Sequence, residues 1–252
     1  MILPDSKDAI HKAWLYRILS MFSDDHIISR SLYFKGGTCA AMRGLLDRFS
    51  VDLDFDYSGS GHDISFISNR MEMIFEKADL QIKDKSDAVP QFFLKYDTPG
   101  RNNRNTIKID VTMPPPISNK YEAVRLNEID RIFMCQTKET MFANKLVAAL
   151  DRFEKNGSIA GRDIYDIHYF FLSDCTYNKD VILERRNITD IKIFFKELID
   201  FIDRNITEKI ITQDLNMLLP YKKFSMIRKV LKSETIMLLS DEMKRLIPVD
   251  MC

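Results

Sequence analysis

Phe34 to Tyr57 reads FKGGTCAAMRGLLDRFSVDLDFDY, and the fold turns on this stretch. A β-like run ends at Lys35, Gly36 and Gly37 turn the chain, and Thr38 opens an Ala- and Leu-rich helical segment. Glycines permit close backbone approach and the N–H groups at a helix start face outward, so this turn suits a phosphate, with the Thr38 hydroxyl as a further donor. The plainer alternative is an ordinary tight turn. From Val51 to Tyr57 the residues alternate with period two, which puts Asp52, Asp54 and Asp56 on one face of a strand and Leu53, Phe55 and Tyr57 on the other. Asp is depleted in strands and like charges repel, so such a face needs compensation. A hard divalent cation, Mg²⁺ or Mn²⁺, supplies it, since side chains at i and i+2 can converge on one ion together with substrate phosphates. The alternative is a solvated edge strand, in which Asp56 marks the strand's end and Arg48 balances charge.

Working outward, Ile10, Trp14, Ile18 and Phe22 recur at four-residue steps and predict an N-terminal amphipathic helix. Leu32 to Phe34, Gln91 to Tyr96 and Thr106 to Val111 read as strands, and Ile64 to Ala78 as a crossover helix. Pro114, Pro115 and Pro116 end the last strand, near whose end Asp110 stands on the same face as Lys108. Phosphoryl-transfer sites with two metals commonly use a third carboxylate from a neighbouring strand, and Asp110 suits that role. Beyond residue 136 the strand signal fades. Helices are expected at about 137–154, 161–173, 178–186, 190–203, 207–218, 222–231 and 234–246. The fold class is therefore α+β: a mixed-sheet domain with an N-terminal helix over 1–135, then a helical domain over 136–252.

The helical half carries charge at usable spacings. Lys138, Lys145 and Arg152 recur every seven residues opposite an apolar face of Phe142, Leu146, Ala149 and Phe153. Asp163 and Asp166 stand one turn apart in the following helix. A basic stripe can neutralise a triphosphate, and equally can be a solvated face.

Taken in order, KGGT from Lys35, RFSVDLDF from Arg48, IKIDV from Ile107, FANKLVAALDR from Phe142 and GRDIYDI from Gly161 resemble the nucleotidyltransferase family of AbiEii type. The resemblance spans about residues 34 to 170 and implies a polymerase-β-like nucleotidyltransferase core. It implies that Gly36, Gly37 and Thr38 hold nucleotide phosphates, that Asp52 and Asp54 hold Mg²⁺, and that Asp110 is the third carboxylate. Lys145 is then a catalytic or triphosphate-contacting lysine, Asp163 a further essential acid, and Arg152, Arg48 and Asp166 supporting residues. Members of such toxin–antitoxin systems move a nucleoside monophosphate from an NTP to RNA, notably the tRNA 3′ acceptor end, and are neutralised by an antitoxin protein. Thr38 stands where many nucleotidyltransferases have Ser, and residues beyond about 175 match no motif. Attachment of the nucleotide to a protein hydroxyl, or nucleotide or antitoxin binding without turnover, are the rival functions.

The 252 residues balance 37 Lys and Arg against 37 Asp and Glu, so any polyanionic partner must be met by a local patch. Candidate RNA contacts are Arg101 and Arg104 in an Asn-rich loop, and Lys222, Lys223 and Lys229 on the expected helix over 222–231. His11, His26, His62 and His168 lack zinc-site spacing, and the four cysteines read as reduced thiols. No apolar run approaches the ~18 residues of a membrane span, and a cytoplasmic location is expected.

Overall fold

The structure, a computed structural model, describes residues 1–59, 63–86, 89–98 and 104–246. The chain divides into two compact units, Met1–Pro115 with Asn119–Thr137, and Pro116–Ser118 with Lys138–Cys252.

The first unit is built on a sheet of seven strands: β1 (Leu32–Lys35), β2 (Leu53–Tyr57), β3 (Gln81–Ser86), β4 (Gln91–Lys95), β5 (Thr106–Thr112), β6 (Tyr121–Leu126) and β7 (Arg131–Gln136). Their order is β3-β4-β5-β2-β1-β7-β6. The β2/β5 and β1/β7 pairs are parallel and the others antiparallel, so the sheet is mixed. Helices α1 (Ala9–Asp24), α2 (Ile28–Ser31), α3 (Gly36–Met42) and α4 (Ile64–Lys77) complete it. Alternation along the strands sends Phe34, Leu53, Phe55, Phe92, Ile107 and Ile109 into the core. There they meet the apolar stripes of α1 and α4: Phe22 lies 5.6 Å from Phe55, and Phe75 lies 5.1 Å from Phe92, between ring centroids. Asp63 starts α4 by accepting a hydrogen bond from the Phe66 N–H at 2.7 Å. With the apolar side chains committed to that face, the opposite face of β1, β2 and β5 carries Lys35, Asp54, Asp56, Lys108 and Asp110.

The sheet is larger than the residue pattern predicts. Strand β3 is an edge strand in which no residue is buried, so it has no apolar alternation to read, and its Lys83, Asp84 and Lys85 are the charges that protect an edge. The hairpin of β6 and β7 follows the triple proline instead of being excluded by it, and β6 likewise shows no clean alternation.

The second unit is helical: α5 (Lys138–Asn156), α6 (Gly161–Leu172), α7 (Lys179–Arg186), α8 (Ile191–Asn205), α9 (Glu208–Leu215), α10 (Tyr221–Ile227) and α11 (Leu231–Arg245). Its core gathers Phe142, Leu146, Ile164, Phe170, Phe194, Phe195 and Leu198. Asn187 ends α7 in the left-handed region, at φ 50°. Gly161 is required where α6 starts: a Cβ there would lie 2.8 Å from the Ile211 Cα on α9, while its N–H donates to Asp214 at 2.6 Å. The three residues Pro116–Ser118 belong with these helices because the Glu184 carboxylate accepts from the N–H groups of Ile117 and Ser118, both at 2.8 Å. The helix expected over 222–231 ends earlier, at Ile227, and the next, expected from 234, already starts at Leu231. Among the described residues, no helix is long and apolar enough to cross a membrane.

Candidate active site

Antiparallel pairing of β1 with β2 sets Lys35 opposite Asp54, and parallel pairing of β2 with β5 sets Asp54 beside Asp110. Register partners share a face, so the two carboxylates project together from neighbouring strands, with Cα atoms ~5 Å apart. Gly36 follows directly. Its φ of +79° lies in the left-handed region, and a Cβ built on it would fall 2.2 Å from Asp54 Oδ2. The first glycine is thus demanded twice, by backbone conformation and by the site carboxylate pressed against it. A Cβ on Gly37 would meet Ser50 Oγ at 2.8 Å and the Arg48 guanidinium at 3.0 Å. Arg48 is a buried strut beneath the turn, donating to the Phe49 carbonyl at 2.9 Å.

Helix α3 begins at Gly36, two residues before the expected start. Thr38 is fully buried, and its hydroxyl donates to the Asp52 carbonyl instead of standing open for a phosphate. It fixes the peptide that carries Asp52. Strand β2 starts one residue later, so Asp52 sits at the strand's mouth while Asp54 and Asp56 lie within it.

Asp56 departs most from the expected carboxylate face. It is fully buried, and donors take both of its oxygens: Lys35 Nζ at 2.6 Å on Oδ1, and Gln136 Nε2 at 2.6 Å, the Tyr121 hydroxyl at 2.8 Å and Asn119 Nδ2 at 3.1 Å on Oδ2. Fully buried and held by four donors, Asp56 serves the sheet interior and is poorly placed for a cation. Burial and the Asp56 charge hold the Tyr121 phenol far above its ordinary value, so it stays a donor. Asp110 is half-buried; its Oδ2 accepts from Lys108 at 2.6 Å and from Gln91 at 3.3 Å.

His11 reaches the same region from α1, with Nε2 2.9 Å from the Val51 carbonyl and Nδ1 2.7 Å from the Tyr96 hydroxyl. A carbonyl only accepts, so Nε2 carries the proton. Burial pushes the imidazole pKa down to about 4, leaving a neutral ring that braces the peptide before Asp52. Sequence reasoning dismissed His11 for lacking metal-ligand spacing and passed over Lys35, Asn119, Tyr121 and Gln136. Only Lys35, next to the glycine turn, offered a signal, because the others become neighbours through pairing far along the chain.

Do these residues fit a divalent cation? Among the described residues, no three His, Cys, Asp or Glu side chains form a ready-made ligand cluster. Mg²⁺ is nonetheless commonly held by one or two carboxylates plus waters and substrate phosphates. The all-oxygen pair Asp54 and Asp110, with Asp52 adjacent, fits that demand.

In the helical unit, α5 and α6 are joined by two ion pairs. Lys145 Nζ lies 2.8 Å from Asp166, which is fully buried, and Arg152 Nε lies 3.0 Å from Asp163, which is 2% exposed. The earlier cation meets the later acid, so the helices run antiparallel. Both acids anchor cations: Asp166 orients Lys145, and Asp163 orients Arg152.

The basic cluster near residue 222 does not form one helical face. Lys223 lies over the Tyr165 and Tyr169 rings, at 5.8 and 5.5 Å, Arg228 packs on Phe224, and Lys232 donates to the Asp203 carbonyl. Lys222 and Lys229 are exposed. Arg104 is half-buried with an unpartnered Nε, and its carbonyl oxygen lies 2.7 Å from the Tyr96 hydroxyl; Arg101 lies outside the described residues.

Comparison with known proteins fits this geometry. The chain is similar to a candidate nucleotidyltransferase from H. pylori, with 18% identity, a TM-score of 0.57, and coverage of 97% of this chain and 99% of that one. It is also similar to JHP933 from Helicobacter pylori, with 18% identity, a TM-score of 0.53, and coverage of 97% and 98%. At that identity the likeness speaks for the fold. No curated protein matches the chain. The profile of the family described as "Nucleotidyl transferase AbiEii toxin, Type IV TA system" matches residues 17–224, a span that contains the glycine turn, the paired carboxylates and both ion-paired helices, and the chain belongs to that family.

Proposed function

We propose that this nucleotidyltransferase toxin moves a nucleoside monophosphate from an NTP to an RNA 3′ hydroxyl, with the tRNA acceptor end as the preferred target. The observation that carries the reading is the shared register of Asp54 and Asp110 with Gly36 pressed against Asp54. Asp52, Asp54 and Asp110 would hold Mg²⁺, which when bound offsets charge on the phosphates and favours ionisation of the attacking hydroxyl. Asp110 then accepts the hydroxyl proton, the 3′ oxygen bonds to the α-phosphorus, and the bond to the β-phosphate oxygen breaks to release pyrophosphate. The triphosphate would lie along the backbone of the glycine turn, where Gly36 and Gly37 are required because a side chain would strike Asp54 at the first and Ser50 and Arg48 at the second. Thr38 and His11 act on the Asp52 segment from below.

Within the helical unit, Lys145 and Arg152 form a cationic pair of a kind that suits phosphate charge, oriented by Asp166 and Asp163. Exposed Lys222 and Lys229 serve RNA phosphates, which would give salt-sensitive binding without sequence preference. Membership of a toxin–antitoxin family brings an antitoxin as the natural partner.

Incubation of the pure protein with labelled NTPs, Mg²⁺ and total tRNA tests the proposal. Transfer of label that RNase removes and Asp54→Asn abolishes is expected. Label released by protease instead would move the acceptor to protein, and NTP binding without pyrophosphate release would make the chain a binding module.

A further inference from the structure

We infer that Lys108 is an exchange residue of the carboxylate site: its ammonium holds Asp110 until a divalent cation takes its place, and then passes to the triphosphate. The inference rests on the proposed reading of Asp54 and Asp110 as cation-holding carboxylates, and gives a role to a lysine that this reading leaves without one.

Lys108 stands two residues before Asp110 on β5, so strand alternation puts both on the site face. Leu53 and Ile109 are register partners, so Asp52 and Lys108 each stand one residue ahead of that pair. The Lys108 ammonium lies 2.6 Å from Asp110 Oδ2, and among the described residues that carboxylate is its one partner. Gln91, the register partner of Asp110 on β4, donates to the same oxygen at 3.3 Å. Both donors therefore meet on Oδ2, and neither bonds Oδ1. A cation that uses both oxygens of Asp110 must first displace the lysine.

Charge makes the contact conditional. Asp54 and Asp110 are neighbours across two strands and repel, and the Lys108 ammonium offsets part of that repulsion. A divalent cation offsets it more strongly and, once at Asp110, repels the ammonium beside it. Lys108 is free to yield: its side chain is 31% exposed, and its charge sits on a flexible four-carbon stem. Lys35, the other lysine of this face, is not, because its ammonium is fixed between the buried Asp56 and Thr112. A cation arriving alone breaks an ion pair and leaves an ammonium without a partner. A cation arriving with a triphosphate supplies that partner, since anionic phosphate oxygens then lie within the site. Lys108 thus opposes the bare cation and favours cation and nucleotide together, a coupling of two ligands through one side chain.

The test uses the full chain and two binding measurements with opposite expected signs. Titration with Mn²⁺ alone, followed by electron paramagnetic resonance of the free ion, should show Lys108→Met binding Mn²⁺ about fivefold tighter than wild type, the scale of a half-exposed ion pair. Calorimetry with a non-hydrolysable NTP analogue at saturating Mn²⁺ should show the same variant binding the analogue more weakly, by a similar factor. A lysine that merely props Asp110 would weaken both when removed. Mn²⁺ affinity that is unchanged or lower in Lys108→Met overturns the inference, as does analogue affinity that is unchanged or higher. Wild-type crystals with MnCl₂ and the analogue give a reading that does not depend on the variant folding: Lys108 Nζ is expected beyond the ~4 Å of an ion pair from Asp110 and within hydrogen-bond reach of a phosphate oxygen. A Lys108 still bonded to Asp110 beside a bound cation overturns the exchange. A wild-type chain that binds no Mn²⁺ sinks the site reading itself, and the inference with it.

Discussion

Gly36→Ala places one methyl group against the site, and the structure sets the size of its effect. The new Cβ would lie 2.2 Å from Asp54 Oδ2 and 2.8 Å from Asp54 Cβ, where ordinary contact begins at 3.4 Å. Because Asp54 Cβ is also too close, rotating the carboxylate does not relieve the overlap. Strand β2 or the turn must move by roughly 1 Å, a misplacement that can cost about a hundredfold in rate when it falls on a reacting group. The left-handed backbone adds a strain of about 1 kcal/mol for a non-glycine residue. Gly44 provides the control, with a φ of +72° and nothing within 4 Å of its virtual Cβ. Gly44→Ala should carry the backbone strain alone, lowering Tm by about 2–4 °C while leaving transfer intact. Gly36→Ala should lower Tm by more and reduce nucleotidyl transfer about a hundredfold, read as label incorporated per minute under identical Mg²⁺ and NTP. Transfer within threefold of wild type in Gly36→Ala, with the expected Tm loss in Gly44→Ala, would refute the claim that the glycine exists to admit Asp54.

Three further outcomes follow from buried groups. The His11 pKa is depressed from 6.5 to about 4, so its contribution to stability is whole above pH 6.5 and is lost as pH falls toward 4, because the unfolded chain takes up the proton first. Between pH 7 and pH 5 that loss is about 2 kcal/mol; urea unfolding at both pH values should show a smaller drop for His11→Gln, and equal drops would refute the assignment. Lys145→Met leaves the buried Asp166 carboxylate without its cation and should cost about 3 kcal/mol in the same assay, whereas a loss below 1 would mean that the pair is not what secures α5 to α6. Thr38→Val keeps the shape but strands the Asp52 carbonyl, costing about 1–2 kcal/mol along with transfer activity; Thr38→Ser should retain both, and an active Thr38→Val would detach the hydroxyl from the site.

Local pattern carried the strands that alternate and the helices with apolar stripes, which is why β2, β5, α4 and α5 were legible. Strand β3 and the β6/β7 hairpin were not. Their residues are largely exposed or polar, and their pairing comes from strands distant in sequence. The same distinction holds at the site. Asp54 and Asp110 could be suspected from their strands, but that they share a register follows only from the parallel pairing of β2 and β5. Period two puts Asp56 on the same face as Asp54, and the pattern alone could set it apart only as a strand's end; burial and four donors separate them. Thr38 read as a phosphate donor because a hydroxyl at a helix start usually faces out, yet here its helix begins two residues earlier and turns that hydroxyl inward.

Asp54 and Asp110 are proposed to hold one cation between neighbouring strands. Anomalous diffraction from crystals soaked in MnCl₂ with a non-hydrolysable NTP analogue tests it most directly. A Mn²⁺ peak is expected within ~2.1 Å of the Asp54 and Asp110 carboxylates, with the triphosphate beside Gly36 and Gly37, and that peak is lost in Asp54→Asn. A cation bound elsewhere, with both carboxylates left outside its coordination sphere, would contradict it.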